Sequence, residues 1–208
     1  MSTLKDFPVA EYRQTYGLQV MVETGTYLGA SVLTALEAGF ETIASCELAP
    51  MFTARARQTL LTKGPRDWEN RVTLFTARSV DWLPEILPKI EDLGRALFFF
   101  DAHVDPALFD GKITPSPAPE EQLLPLPKEL EILLGARDVA HDVIIIDDLH
   151  LYVQKRWIGI EWAAKWGLPT TQPPYQTEMD LVKLFPGHES LIVDGLSALI
   201  LRPLGDVD

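Results

Sequence analysis

The chain has 208 residues, 47% of them hydrophobic, a formal net charge of −12 and a single cysteine. With 18 basic against 30 acidic residues, it has the wrong balance for neutralising phosphates, which argues against a nucleic-acid partner and for a small molecule. Cys46 alone excludes an intrachain disulfide and a cysteine zinc site and points to a reducing cytoplasm. No apolar run reaches the roughly 18 residues of a membrane span, and Met1 to Pro8 holds no apolar signal core. The length suits one domain over residues 1–208.

Residues 7–17 are predicted as a short helix or arm ending at Gly17, and 18–23, nearly all apolar, as a first strand buried on both faces. A helix over 31–40, with Val32, Leu33 and Leu36 on one face, precedes a second strand over 42–47 that closes on Glu47. Phe52, Ala56 and Leu60 at i, i+4 and i+8 predict a helix over 49–63, stopped by Gly64-Pro65. A third strand spans 71–76. Ser79 then caps a helix with Trp82, Ile86 and Ile90 on its face; Pro84 suits a first turn, and Pro88 is expected to kink or shorten it. The fourth strand, 96–100, empties into Asp101-Ala102-His103.

Residues 104–127 hold six prolines and no period, which marks a long loop. It is readable as a lid or substrate contact, or else as a passive insertion or dimer contact. A helix resumes over 128–135, and a fifth strand over 143–146 empties into Asp147-Asp148-Leu149-His150. A helix is predicted over 152–166 with Val153, Trp157 and Ile160 on one face. Asp194-Gly195 between two apolar runs signals a closing hairpin. Five alternations of strand and helix predict an α/β fold, a mostly parallel sheet covered on both faces.

In such a sheet a ligand lies beyond the carboxyl ends of the strands. Strand one delivers Glu23 and the Gly25/Gly29 turn, strand two Glu47, strand three Arg78-Ser79, strand four Asp101 and His103, and strand five Asp147, Asp148 and His150. Carboxylates gathered on one rim repel one another unless a cation joins them. Glu47, 22 residues after Gly25, stands where nucleotide folds place the acid that binds ribose hydroxyls, although a solvated strand-end acid has the same position. Gly-Thr-Tyr-Leu-Gly lacks the third glycine of a dinucleotide fingerprint, which fits a nucleoside better than a dinucleotide. His141 and His188 read as ordinary surface or loop histidines, and no helix face accounts for Trp68.

The pattern Val22-Glu23-Thr24-Gly25-Thr26-Tyr27-Leu28-Gly29-Ala30-Ser31, an acid closing the next strand, then Phe99-Phe100-Asp101-Ala102-His103 and Ile145-Ile146-Asp147-Asp148, resembles the class I S-adenosylmethionine (SAM)-dependent methyltransferases over most of residues 18–201. The resemblance implies a Rossmann-like three-layer sandwich with a seven-stranded sheet and a reversed last strand. It divides the chain into a cofactor-binding half (17–102), the proline loop (103–127) and a second half with the hairpin (128–208). It implies that Glu23, Thr24, Gly25, Thr26, Gly29 and Ser31 surround the methionine part of the cofactor, with Asp101 close by, that Glu47 holds the ribose, and that Arg78-Ser79 stand at the adenine edge. More narrowly, the two aspartate motifs are similar to metal-dependent small-molecule O-methyltransferases, which implies a magnesium-like cation on Asp101, Asp147 and Asp148. A third acid is common in that family where His103 stands here, and an amide where Asp148 stands.

His103 or His150 is a candidate general base, its imidazole suited to neutral pH, with Asp101 alongside. The leading expectation is methylation of a small-molecule hydroxyl, by a monomer or a homodimer. A nucleotide-dependent oxidoreductase and a non-catalytic module keeping the fold are the alternatives.

Overall fold

The computed structural model describes residues 3–103, 124–156 and 173–205. Its seven strands are β1 (Val20–Thr24), β2 (Thr42–Glu47), β3 (Val72–Thr76), β4 (Ala96–Phe100), β5 (Val143–Ile146), β6 (His188–Val193) and β7 (Ala198–Pro203). They form one sheet in the order β3-β2-β1-β4-β5-β7-β6. The first five run parallel, and β7 pairs antiparallel with both β5 and β6. This is the predicted α/β architecture, a Rossmann-like sheet in which the last strand, β7, is reversed and β6 runs with the first five.

β1, β4 and β5 are buried at every residue, as expected of parallel strands covered on both sides. Val20, Val22, Ala44, Phe98, Phe100, Ile144 and Ile146 face one apolar cluster with helices α5 (Ser79–Ile90) and α6 (Leu126–Ala136). Met21, Ile43, Leu97, Phe99, Val143 and Ile145 face the other, against α1 (Val9–Tyr16) and α2 (Ala30–Glu37). Trp68 is explained by this second cluster: it is buried on the one-turn helix α4 (Trp68–Arg71), between α3 (Pro50–Lys63) and β3.

Three expectations are corrected. Pro88 does not shorten α5, which runs through both Pro84 and Pro88 to Ile90. Both prolines lie on the exposed face, where water can serve the carbonyls they leave without donors, while Trp82, Leu83, Ile86, Leu87 and Ile90 are buried together. Nor does Tyr152 open a long helix; it ends the one-turn helix α7 (Leu149–Tyr152). Val153 bridges to Tyr175, with the Tyr175 amide donating to Tyr152 O and the Gln154 amide to Tyr175 O, so tertiary pairing interrupts the helical period at Val153 before a 3-10 turn over Gln154–Arg156. Trp157 and Ile160 lie outside the described residues, as do residues 104–123 of the proline loop. A third correction concerns His188, which is buried at the start of β6 with Nε2 3.0 Å from Asp142 O; His141 is exposed, as expected.

Among the described residues, no helix is long and apolar enough to cross a membrane. The start of β4 is pinned by Asp142, whose Oδ1 accepts from the Ala96 amide at 2.7 Å. Arg137 clasps the same carboxylate through Nε at 2.6 Å and Nη2 at 3.0 Å, and donates to Gly94 O. Asp142→Ala leaves a buried guanidinium without its anion and should cost on the order of 3–5 kcal/mol. Urea unfolding reads this as a lowered midpoint, and a loss below about 1 kcal/mol would show that the clasp is not what holds this edge.

Candidate active site

The strand ends are brought level by backbone pairing that runs one residue past the strands. The Gly25 and Thr26 amides donate to Cys46 O, Asp101 to Thr24 O, Asp147 to Phe100 O and Ala77 to Glu47 O. Residues that end different strands therefore share one rim. At its centre, Gly25 has φ +94°, and a Cβ there would stand 2.5 Å from Asp101 O, so only glycine lets the β1 turn lie against the loop after β4. Tyr27 (φ 47°) and Gly29 (φ 79°) are also left-handed, and Gly29 brings the start of α2 against Ala56 of α3.

This turn opens a crevice of about 460 Å³, partly open to solvent. Gly25, Cys46, Glu47, Arg78, Ser79, Ala102, His103 and Pro125 are among its lining. Glu47 holds the crevice's edge together, accepting from the Tyr27 amide at 2.9 Å through Oε2 and from the Ala49 amide at 2.8 Å through Oε1. Burial raises its pKa, and these amides offset part of the rise.

Of the other residues assigned to this cradle, Glu23, Thr24, Thr26, Gly29 and Ser31 stand behind the lining. Glu23 is fully buried on the α2 side and accepts from Ser45 Oγ at 2.5 Å, with Thr26 Oγ1 2.5 Å from the same hydroxyl. Ser31 Oγ accepts from the Leu4 amide at 3.3 Å and also favours the ionised Glu23. Desolvation still pushes Glu23 up to about 7. These groups support the turn from beneath.

A second group sits beyond β4 and β5. His103 Nδ1 lies 3.2 Å from Asp148 Oδ2 and 3.9 Å from Asp101 Oδ1, and His150 Nδ1 lies 3.7 Å from Asp148 Oδ1. One ligand atom from each of Asp101, His103 and Asp148 falls within a 4.8 Å cluster. Asp147, the remaining member of the expected metal set, is outside that cluster; its Oδ1 accepts the Asp148 amide at 2.8 Å. Asp148 caps α7 with left-handed backbone, φ 52°. The α7 start is braced from the hairpin: the Leu149 amide donates to Ser197 O at 2.7 Å and the His150 amide to Ser197 Oγ at 3.1 Å. Tyr152 OH donates to Ala102 O at 3.2 Å, fixing the loop that carries Asp101 and His103.

The electrostatics of this rim are one-sided. Burial first, then Asp147, Asp148 and Glu23, raise the Asp101 pKa well above the carboxylate range, and its shielded Oδ1 has no hydrogen-bond partner among the described residues. Burial holds His150 below the ordinary imidazole value, with Asp148 offsetting part of the effect. The sequence reading missed Glu129 on α6, which is fully buried and pushed up to about 7 by desolvation. A signal for it was legible: Glu129 shares the apolar face of Leu126, Leu130 and Leu133, where an acid is out of place.

No protein-family profile and no curated protein matches this sequence. Solved structures do. A candidate caffeoyl-CoA O-methyltransferase from Staphylococcus aureus superposes with a TM-score of 0.62 at 16% identity, covering 97% of this chain and 82% of that one. The O-methyltransferase TomG of Streptomyces achromogenes, involved in tomaymycin synthesis and solved with SAM, gives 0.50 at 15%, covering 95% and 78%. An O-methyltransferase from Bacillus cereus, in complex with SAH, gives 0.50 at 14%, covering 93% and 78%. At such identities the likeness is one of fold.

Glu23 and Glu129 ordinarily ionise near 4.5 but keep their protons to about 7 in the folded chain. Between those values the folded state binds more protons than the unfolded one, so stability falls as pH rises through 7 and levels off above it. Without ligand, the melting temperature should be lower at pH 8 than at pH 5.5. Glu129→Gln should remove on the order of 3 kcal/mol of this penalty at pH 8, raising the melting temperature there and narrowing the gap. An unchanged gap in that variant would refute the assignment.

Proposed function

We propose that the chain is a SAM-dependent methyltransferase acting on a hydroxyl oxygen of a small molecule, with a divalent cation at the Asp101–His103–Asp148 cluster. One observation carries this reading: a crevice lined by Gly25, Glu47 and Ser79 adjoins a carboxylate–imidazole cluster through Ala102 and His103. The named O-methyltransferases, two of them solved with SAM or SAH, share the fold and support it.

In this reading Gly25 lets the methionine part approach the backbone, and Glu47, already fixed by two amides, presents its remaining lone pairs to the ribose hydroxyls. Arg78 and Ser79 border the base. The three-residue cluster fits a metal. Ligand atoms about 2.1 Å from an ion stand roughly 3 to 3.4 Å apart at adjacent positions; the His103–Asp148 pair, at 3.2 Å, is in that range, and the His103–Asp101 pair, at 3.9 Å, would have to draw in to join it. Asp101 Oδ1, buried without a hydrogen-bond partner among the described residues, would find in the cation an acceptor for its lone pair. A bound cation would lower the pKa of an acceptor hydroxyl and orient it. His103 in the set brings in nitrogen, which shifts preference from magnesium toward manganese, iron or zinc.

His150, kept neutral by burial, stands beside Asp148 as the general base. The acceptor oxygen loses its proton to that imidazole and bonds to the methyl carbon. The carbon–sulfur bond breaks, with its electron pair left on sulfur.

Calorimetry with SAM and SAH, each with chelator, magnesium, manganese or zinc, tests the proposal. Both nucleosides should bind without metal. Manganese or zinc should bind more tightly than magnesium, and Asp148→Ala should weaken that binding roughly 10- to 100-fold or more while leaving SAH binding in place. Failure to bind either nucleoside would sink the methyltransferase reading, and metal binding unchanged in Asp148→Ala would sink only the metal site. The oxidoreductase alternative predicts instead that NADH binds, visible as a change in its fluorescence. The division of the chain into a cofactor half, 17–102, and an acceptor half beyond residue 103, within one domain, belongs to the same proposal, as do a cytoplasmic location and the absence of a nucleic-acid partner.

A further inference from the structure

Glu129 is the one carboxylate among the described residues with both oxygens buried and unpartnered. It is 0% exposed, and neither carboxylate oxygen has a hydrogen-bond partner among the described residues. Ser79 of α5 and Thr24 of β1 offset part of the effect of burial without reaching hydrogen-bonding geometry, and no cationic side chain acts on it. Thr24 Oγ1, at the end of β1, is likewise buried and unpartnered. A buried carboxyl left in this state is costly, and a site that retains one has a use for it.

Its position suggests the use. Glu129 lines a small pocket with Asp101, His103, Asp147 and Tyr152. It is also the strongest charge acting on Cys46 of β2 and on Tyr152 of α7. Its charge is therefore felt under the floor of the crevice between the β1 turn and the end of β2. In the methyltransferase reading, on which this inference rests, the ribose lies at Glu47 and the methionine part at Gly25. The sulfur that joins them then lies above Thr24 and Cys46. The other nearby carboxyls are otherwise engaged: Glu23 by Ser45, and Asp101 in the cluster with His103.

We infer that Glu129 is a positioning residue that supplies the counter-charge beneath the cofactor's sulfonium, so that the crevice discriminates the methyl donor from its demethylated product. The two ligands differ at that atom by one methyl group and one positive charge. An anion held under the floor lowers the energy of the charged ligand only, and loses its cation when the methyl group leaves. Product release is favoured by the same contact that favours donor binding.

The test compares the wild type, Glu129→Gln and Glu129→Asp by calorimetry at pH 7.5 with SAM, SAH and sinefungin, whose amine places a positive charge near the sulfonium position. Glu129→Gln should weaken SAM and sinefungin by roughly tenfold, the order expected of one unit charge at intermediate dielectric, while SAH changes less than about twofold. Glu129→Asp should restore part of the discrimination. Equal weakening of all three ligands, as from a merely structural role, would overturn the inference, as would no change in any. If the wild type binds none of them, the methyltransferase reading fails and this inference with it.

Discussion

The hydrogen bond from the Asp101 amide to Thr24 O, with its counterparts from Gly25 to Cys46 and from Asp147 to Phe100, sets the level at which every functional side chain stands. Parallel strands end wherever their sequences turn, and nothing in the strands themselves makes the ends coincide. Here the ladder continues into the first loop residue of each crossover. Asp101 and Asp147 thus emerge at one height, beside the Gly25 turn. The absence of a Cβ at Gly25 keeps two loops in contact, so crevice and cluster are neighbours because one backbone can touch another.

That geometry gathers negative charge without gathering its compensation. Glu23, Glu47, Glu129 and Asp101 all hold protons more tightly than free carboxyls, and in each case burial is the largest cause. Of the half-buried arginines, Arg137 clasps Asp142 at the opposite end of β4 and Arg71 caps carbonyls at the end of α2, while Arg78 borders the crevice and faces Asp81. The rim is thus electrostatically unfinished in the free protein, and the ligands that complete it best are cations. In the proposed function a sulfonium and a divalent ion would meet that requirement at adjacent positions.

Much of this was legible in the sequence because it depends on local chemistry. Thr42–Glu47, Ala96–Phe100 and Val143–Ile146 were read as strands with the bounds the structure has, since continuous apolar runs ending in acids have few other homes in an α/β fold. The gathering of His103 with Asp101 and Asp148 could not be read, because it depends on how the loops after β4 and β5 lean together. The same holds for the inward placement of Glu23 and Ser31, which face α2 and the chain's first turn instead of the crevice. The helical period from Tyr152 breaks at Val153, because the main-chain donors and acceptors of Tyr175 compete for the same backbone, and Gln154–Arg156 resume as a 3-10 turn. Glu129 was legible and overlooked: a lone acid on an apolar stripe draws less notice than acids ending strands.

β7 follows the other six strands in the chain, yet it lies inside the sheet, between β5 and β6. The hairpin tip before it supplies both Ser197 contacts that brace Leu149 and His150. A growing chain that has emerged as far as β5 already holds the parallel core, the Gly25 turn and Glu47, but has no support for the loop bearing Asp148 and His150. The crevice is therefore built from contacts that the hairpin does not make, whereas the acidic cluster leans on the tip before the last strand. Loss of the C-terminal strand would thus loosen one half of the rim and leave the other its own supports.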